Sequence, residues 1–469
     1  MLKKQPMTFA LFFGNRGFFP GELIADARRE LKQAVEAAGF QALMMDESLT
    51  RYGAVETQEE GRKYAEFLRL HQGEYQGVIL CLPNFGDENG ASAALRDCGV
   101  PILVQAYPDE VGKMDFANRR DALCGKTAMC NVLRQNRLPY TLLRPFTVHP
   151  LSDSFQIQLH RFAGICRVVR GMKRLHIGSI GARTTAFKTV RIDEIAMQSV
   201  GIDTETFDLS EVFRRARSID AKRAESKAQD YLKITSYAGF SKEKLMTIAS
   251  LGAAIDDIIQ EYCLDGIAVR CWNEMQLEFG VAPCLILCEL NERGIAASCE
   301  VDLANTVMMK ALSLAADSPC MLLDINNNYN DDEDKCVLFH CGPVPSSLLE
   351  GKGETIEHKM FAKSYGSGSG VGVNKGKIRP GNTTFGSLKT ENGKLCAFVG
   401  EGVLRDDPLD PEFFGSGTVL QTGYTQDLLE YIAENGYRHH LGLVPGSVQS
   451  IIAEAFKNYL GYQTHSFKG

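Results

Sequence analysis

Two carboxylates in this sequence sit where carboxylates are rarely found. Glu300 lies within AASCEVDLANTVMM, and Asp324 ends the apolar run CMLLD. A charged carboxylate among apolar residues is normally paired or bound to a cation, because burial without a partner is costly. Glu300 has a second reading, as a charge in the first turn of a helix, where it suits the helix dipole. Asp324 reads as the carboxyl end of a parallel strand, where ligands gather in α/β sheets, which favours a functional role. Histidine is scarce: the chain has nine, and two of them, His439 and His440, are adjacent in a loop between helical segments. Neighbouring side chains on an extended chain point opposite ways, so one imidazole can reach a cation while the other reaches substrate or a supporting group. His340, at a strand end in VLFHCGP, stands between a site residue and a structural one. His71, His149, His160, His176, His358 and His465 read as structural.

Two carboxylates and a histidine form an oxygen-rich ligand set with one nitrogen. That set suits octahedral Mn²⁺, Mg²⁺, Co²⁺ or Fe²⁺ better than structural Zn²⁺. Its open positions would take two neighbouring oxygens of a substrate. Other chemistries find less support. GSIGA (178–182) is not a GxGxxG fingerprint, and there is no Walker A sequence and no GxSxG elbow. Cys271, before Trp272, is a possible thiol nucleophile with no evident base. The 14 cysteines lie mostly in apolar runs and form no CxxC pair. They therefore read as reduced, hydrophobe-like residues of a cytoplasmic protein rather than zinc ligands or disulfides.

The elements that must position these residues fall into three groups. Residues 1–165 alternate apolar strands with helices: TFALFF, QALMM, GVILCLP and VPILVQAY are strands, and LIADARRELKQAVEAAGF and 57–72 are helices. Such runs predict a parallel sheet covered on both faces, with ligand-binding turns at Gly14–Gly17 and Asn84–Asn89. Residues 166–328 repeat the pattern with RLHIGSIGA, DGIAVRCW (ending on the only tryptophan), a helical segment SCEVDLANTVMMKALSLAA, and CMLLDINN as the closing strand. From 329 to 469 Gly, Ser, Thr and Asn rise, and KCVLFHCG, GNTTFGSLKT, KLCAFVGEGVL and SGTVLQTG predict a mostly antiparallel barrel or sandwich. Terminal helices are expected over 426–434 and 447–459. SYGSGSGVGVNKG reads as a mobile surface loop and a candidate lid.

Composition bounds the rest. At roughly 150 residues per domain, 469 residues predict about three domains. The apolar fraction is 44% and the charged fraction 23%, as in ordinary soluble proteins. A net charge of −7 argues against nucleic acid as the main partner, since phosphate binding needs a basic field. No apolar run is long enough for a transmembrane helix. The opening MLKKQPMTFALFFGNRG carries Arg16 early and no small-residue cleavage site, so it reads as a first strand rather than a signal peptide.

With these residues in hand, the sequence resembles the L-fucose isomerase / L-arabinose isomerase family, particularly its shorter L-fucose isomerase-like members. The likeness runs through GNRGFFPGEL, AVRCWNEMQLEFG, SCEVDLANTVMM, LLDINN, FHCGP, GKIRPGNTTFG, FVGEG and ENGYRHHLG, in that order. It implies an α/β fold of two Rossmann-like parallel-sheet domains followed by a β-rich, barrel-like C-terminal domain. It implies Glu300, Asp324 and His440 as metal ligands, Mn²⁺ or another divalent cation such as Mg²⁺ or Co²⁺ as cofactor, and Glu300 and Asp324 as catalytic carboxylates. Arabinose isomerases add a histidine ligand at the position His340 occupies, and fucose isomerases do not. Arg16, His340, His439, Trp272 and Asn327 are implied as substrate-binding residues. Arg16 matches an arginine that reaches into a neighbouring subunit's site, so a homo-oligomer, hexamer or trimer, is expected. The implied reaction interconverts an open-chain aldose and its ketose through a cis-enediolate. Substrates in such families are L-fucose, D-arabinose, L-arabinose and sulfoquinovose. For a sulfonate, Arg16, Arg379, Lys377 and His439 are the available donors. A non-catalytic sugar-binding or regulatory protein, and a metal-dependent epimerase or aldolase, are the competing readings.

Overall fold

The computed structural model describes residues 7–468, so the first six residues of the opening segment lie outside the described residues. The chain forms two compact units, one ending at Arg170 and one beginning at Gly171.

In the first unit β1 (Thr8–Phe13), β2 (Gln41–Met44), β3 (Gly77–Leu82), β4 (Ile102–Ala106) and β5 (Thr141–Leu142) form a parallel sheet in the order β2-β1-β3-β4-β5. Every residue of β1 and β3 is buried, as their unbroken apolar runs require. The strand period of two divides them between two cores. Phe9, Leu11 and Ile79 pack with Leu31, Val35 and Phe162 on one face. Ala10, Phe12, Val78 and Leu80 pack with Tyr64, Leu68 and Met129 on the other. The helix Gln58–Leu70 starts with a reciprocal capping box between Thr57 and Glu60.

The second unit holds two sheets. β6 (Leu175–Ile180), β7 (Ile202–Phe207), β9 (Gly266–Val269) and β10 (Ala296–Cys299) are parallel, in the order β10-β9-β6-β7; β8 is the short segment Thr235–Ser236. The other sheet contains β11 (Met321–Tyr329), β12 (Asp332–His340), β13 (Gly353–Glu357), β14 (Val371–Lys377), β15 (Gly381–Glu391), β16 (Lys394–Arg405), β17 (Ser416–Gln421), β18 (His440–Pro445) and β19 (Gln463–Ser466). Its order is β19-β16-β15-β18-β11-β12-β17-β14-β13-β8, and β16 also pairs with β17. That extra pairing closes β16, β15, β18, β11, β12 and β17 into an antiparallel barrel. Its core includes Met321, Leu323, Leu338, Phe385, Phe398, Leu420 and Leu443. The expected class therefore holds: α/β with parallel sheets, then a β-rich barrel.

Three local expectations change. CMLLDINN does not close the parallel sheet; β11 pairs antiparallel with β12 and β18 in the barrel. Asp324 accordingly lies within an antiparallel strand and not at the carboxyl end of a parallel one. The helix expected from Ser298 begins at Leu303, because Ala296–Cys299 is a strand. The Gly-rich stretch after Ser364 does not form a loop throughout: Val371–Asn374 are buried in β14. Gly372 has φ 129, and a Cβ there would lie 2.3 Å from the Ala282 carbonyl, so glycine serves close packing at that point.

Candidate metal centre and active site

The register of the barrel brings the first two groups together. Asp324 of β11 stands directly opposite His440, the first residue of β18. Directly opposed side chains on an antiparallel pair are nearest neighbours. His440 Nε2 is 3.2 Å from Asp324 Oδ1. Glu300 comes from the other sheet, in the turn after β10. There Glu300 and Val301 have φ of 61 and 60, left-handed values that a β-branched valine adopts only at a cost. The turn re-aims the chain and leaves Glu300 Oε2 3.1 Å from His440 Nε2. The capping role open to Glu300 in the sequence belongs to Asp302, whose side chain accepts from Asn305 N at the start of the helix Leu303–Ala316.

His340 ends β12 and is buried, its ring 6.0 Å from that of His440. Glu300, His340 and His440 each present a ligand atom within 4.8 Å of the others, and so do Asp324, His439 and His440. Glu300 Oε2, Asp324 Oδ1, His340 Nε2 and His440 Nε2 are buried atoms with no hydrogen-bond partner. The short approaches to His440 Nε2 thus lack the direction of an N–H···O bond. Buried polar atoms left without a hydrogen bond are costly, and several around one space form a cluster able to hold a cation.

A further shell of contacts holds His440 in place. Its Nδ1 donates to Asp302 Oδ2 at 2.8 Å, which aims the Nε2 lone pair into the cluster. Asp302 is fully buried and also receives Arg438 NH1 at 2.9 Å and Asn305 Nδ2 at 2.7 Å. Burial acts to raise the Asp302 pKa, but Arg438 and His440 outweigh it and hold the group at about 2. For His440 burial acts to lower the pKa, yet the bond to Asp302 and the nearby Glu300 and Asp324 raise it to about 10. The same negative field draws a cation to Nε2, whether a proton or a metal ion. His340 is likewise raised to about 9, with burial opposed by Asp324 and Cys341. His439 is lowered by burial and by His440 beside it.

Among the other expected site residues, His439 is partly exposed, with Nε2 3.8 Å from Asp324 Oδ1. Phe187 flanks the histidine pair, its ring 5.8 Å from His439 and 6.1 Å from His440, and Trp272 lies 6.2 Å from Phe187. Asn327 is exposed and lines a surface pocket of about 410 Å³ with Asp331, Lys335 and Gln426. Arg16 belongs to the first unit, where it donates to the Gly86 carbonyl, pairs with Glu88 at 3.3 Å and covers Phe85. Lys377 is already paired with Glu350 and Asp406, and Arg379 donates to the Leu349 carbonyl. Asp302, Arg438 and Phe187 were missed in the sequence. Asp302 before an apolar helix and Arg438 before the histidine pair were the only traces of them.

Known proteins give this arrangement a context. Residues 10–173 match the fucose/sulfoquinovose isomerase N-terminal domain, and residues 338–467 match the L-fucose isomerase C-terminal domain. Arg16 lies in the first matched segment and His340, His439 and His440 in the second; Glu300 and Asp324 fall between them. The chain is 25% identical over 378 residues to a protein named sulfoquinovose isomerase from Alkalicoccus urumqiensis, covering 79% of this chain and 81% of that one. A protein of the same name from Priestia aryabhattai is 24% identical, covering 76% and 77%. Another, from Clostridium sp. (strain MSTE9), is 21% identical, covering 71% and 73%. The matched domains and these relatives define an aldose–ketose sugar isomerase. Within that class, the chain belongs to the L-fucose isomerase-like family. No helix among the described residues is long and apolar enough to cross a membrane.

Proposed function

We propose that this protein interconverts sulfoquinovose, in its open-chain form, and the corresponding 2-ketose. The observation that carries the reaction class is the set of unpartnered buried atoms on Glu300, Asp324, His340 and His440. The sulfonated substrate is supported by the name sulfoquinovose isomerase shared by the relatives above. The donor set fits a hard divalent cation, with Mn²⁺ preferred and Mg²⁺ or Co²⁺ as substitutes. Glu300, Asp324 and His440 would hold it, and His340 stands near enough to join them. When bound, the cation would supply electrophilic polarisation of the sugar oxygens at the reacting carbons.

The chain's own groups then handle the protons. Either the Glu300 or the Asp324 carboxylate takes the proton from C2 of the aldose, and it or its partner returns a proton to C1. The sugar passes through a cis-enediolate between these transfers. Asp302 and Arg438 keep His440 fixed throughout. Phe187 and Trp272 exclude water from the side of the histidine pair. His439, Arg16 and Arg379 remain the donors for the sulfonate. Lys377 and Arg16 each already have a carboxylate partner, so His439 and Arg379 are the donors with the freer charge. We read the chain as a cytoplasmic homo-oligomer, a hexamer or trimer, in which Arg16 serves a neighbouring subunit's site. Its segments 1–165, 166–328 and 329–469 act as three domains.

The test is NMR of a panel of aldoses incubated with the protein in D₂O. Sulfoquinovose should give a ketose signal with deuterium entering at the reacting carbon. L-Fucose, D-arabinose and L-arabinose should turn over at least about tenfold more slowly, the scale of a missing charged contact. Faster turnover of a neutral aldose would overturn the sulfonate assignment while leaving the isomerase class intact.

A further inference from the structure

We propose that Cys284 and Cys341 form an oxidisable thiol pair immediately behind the site, which a hydroperoxide converts to a disulfide. Four cysteines adjoin in series there. Cys284 Sγ lies 3.6 Å from Cys341 Sγ, and Cys299 contacts both Cys341 and Cys271. Three of them are chain neighbours of residues around the cluster: Cys271 precedes Trp272, Cys299 precedes Glu300, and Cys341 follows His340. Cys341 Sγ is also 3.5 Å from His340 Nδ1. Cys271, Cys284 and Cys299 are buried, and Cys341 is the one of the four residues that keeps partial exposure.

The surrounding backbone lets this pair approach. Cys284 opens the helix Cys284–Glu292, and Cys341 leaves the end of β12. Gly342 follows, and a Cβ on it would lie 2.4 Å from Cys284 Cβ, so glycine is what allows the strand exit to pass so close to the helix start. A disulfide brings the sulfurs to about 2.05 Å, about 1.5 Å closer than their 3.6 Å contact. Cys341 sits at an element end, where side-chain rotation and a small backbone shift supply that distance.

The chemistry balances in two steps. The Cys341 sulfur attacks one oxygen of the hydroperoxide, and the O–O bond breaks. Cys341 becomes a sulfenic acid, and its thiol proton leaves with the released water or alcohol. The Cys284 sulfur then attacks the sulfenic sulfur; the S–S bond forms, the S–O bond breaks, and water carries off the Cys284 proton. The pair loses two electrons and two protons, and the peroxide is reduced. Closing the bond draws Cys341 away from His340 and shifts the end of β12, so oxidation slows the enzyme until a dithiol restores it.

The test treats the full chain with graded hydrogen peroxide, blocks remaining thiols by alkylation, digests without reduction and maps the peptides by mass spectrometry. The expected product is a peptide pair joined through Cys284 and Cys341, absent after dithiothreitol and absent in Cys284→Ala. Turnover should fall roughly tenfold and return with dithiothreitol, the size of effect seen when a supporting contact to a site residue is lost. Full alkylation of both cysteines, oxidation of Cys341 with Cys284 still free, or a bond to Cys299 would each overturn the pairing. The covalent readout needs no substrate, so its failure is distinct from failure of the sulfosugar assignment.

Discussion

An aspartate with no solvent exposure is tolerated at position 302 because Arg438, His440 and Asn305 all donate to it. Its role is tested by two substitutions. Asp302→Asn should keep the fold but lower Mn²⁺ affinity by roughly 10–100-fold, measured by calorimetric titration, because His440 loses the anion that orients it. Asp302→Ala strands the buried Arg438 charge and should cost about 3–5 kcal/mol in urea unfolding. The pH dependence follows from the sign of the shift. The Asp302 pKa falls from 3.8 to about 2 on folding, so its contribution is complete above pH 4 and is lost as pH drops toward 2. Its size is about 2 kcal/mol, visible as acid destabilisation that Asp302→Asn lacks. Glu300→Gln should remain folded by circular dichroism and lose roughly 10²–10⁴-fold in kcat. Glu300 and Asp324 stood out in the sequence as charges among apolar residues and His439 and His440 as an adjacent pair, while the choice of His440 as the ligand came only from the family resemblance. Asp302 was not legible, since it also caps a helix and any such aspartate reads that way. Arg438 was not legible either, because nothing in the sequence around it signals burial, and the fold shows it buried.

At the scale of elements, the site depends on the β11–β18 register and on the exit of β12. Gly415 is a direct probe. A Cβ there would lie 2.3 Å from the His340 carbonyl and 2.9 Å from Cys341 Cα, both backbone atoms that cannot rotate aside. Gly415→Ala should therefore destabilise the protein by about 1–3 kcal/mol in urea and reduce turnover, whereas a surface change such as Gly351→Ala, with no atom within 4 Å, should leave turnover unaltered. The strands of the first unit were legible because unbroken apolar runs between helical segments admit one arrangement. The run CMLLDINN was not, because an apolar strand looks alike in a parallel sheet and in a barrel. What decides between them is pairing with residues far along the chain, Met321 with Leu443 and Asp324 with Phe339. The strand Val371–Lys377 was hidden by its glycines, which suggest mobility until Gly372 is seen against Ala282.

For the whole molecule, the two matched domains enclose a central stretch that carries both carboxylates, while the histidines come from the barrel. A carboxylate turn on a parallel sheet and a histidine pair on a barrel strand have no need to converge in order to fold. The left-handed turn at Glu300 costs stability, and the buried atoms around His440 make no hydrogen bond although Glu300 and Asp324 lie within ion-pair distance of it; under the proposed reading a bound cation would offset both. Cation binding should therefore raise the thermal midpoint of the protein, in proportion to the logarithm of free Mn²⁺ above its dissociation constant. The most direct measurement of the central claim is ketose formation from sulfoquinovose, followed by NMR in D₂O, with protein stripped by a chelator and then titrated with Mn²⁺. No turnover is expected in the stripped protein, with recovery as the cation is restored. Full turnover in stripped protein would contradict the central claim.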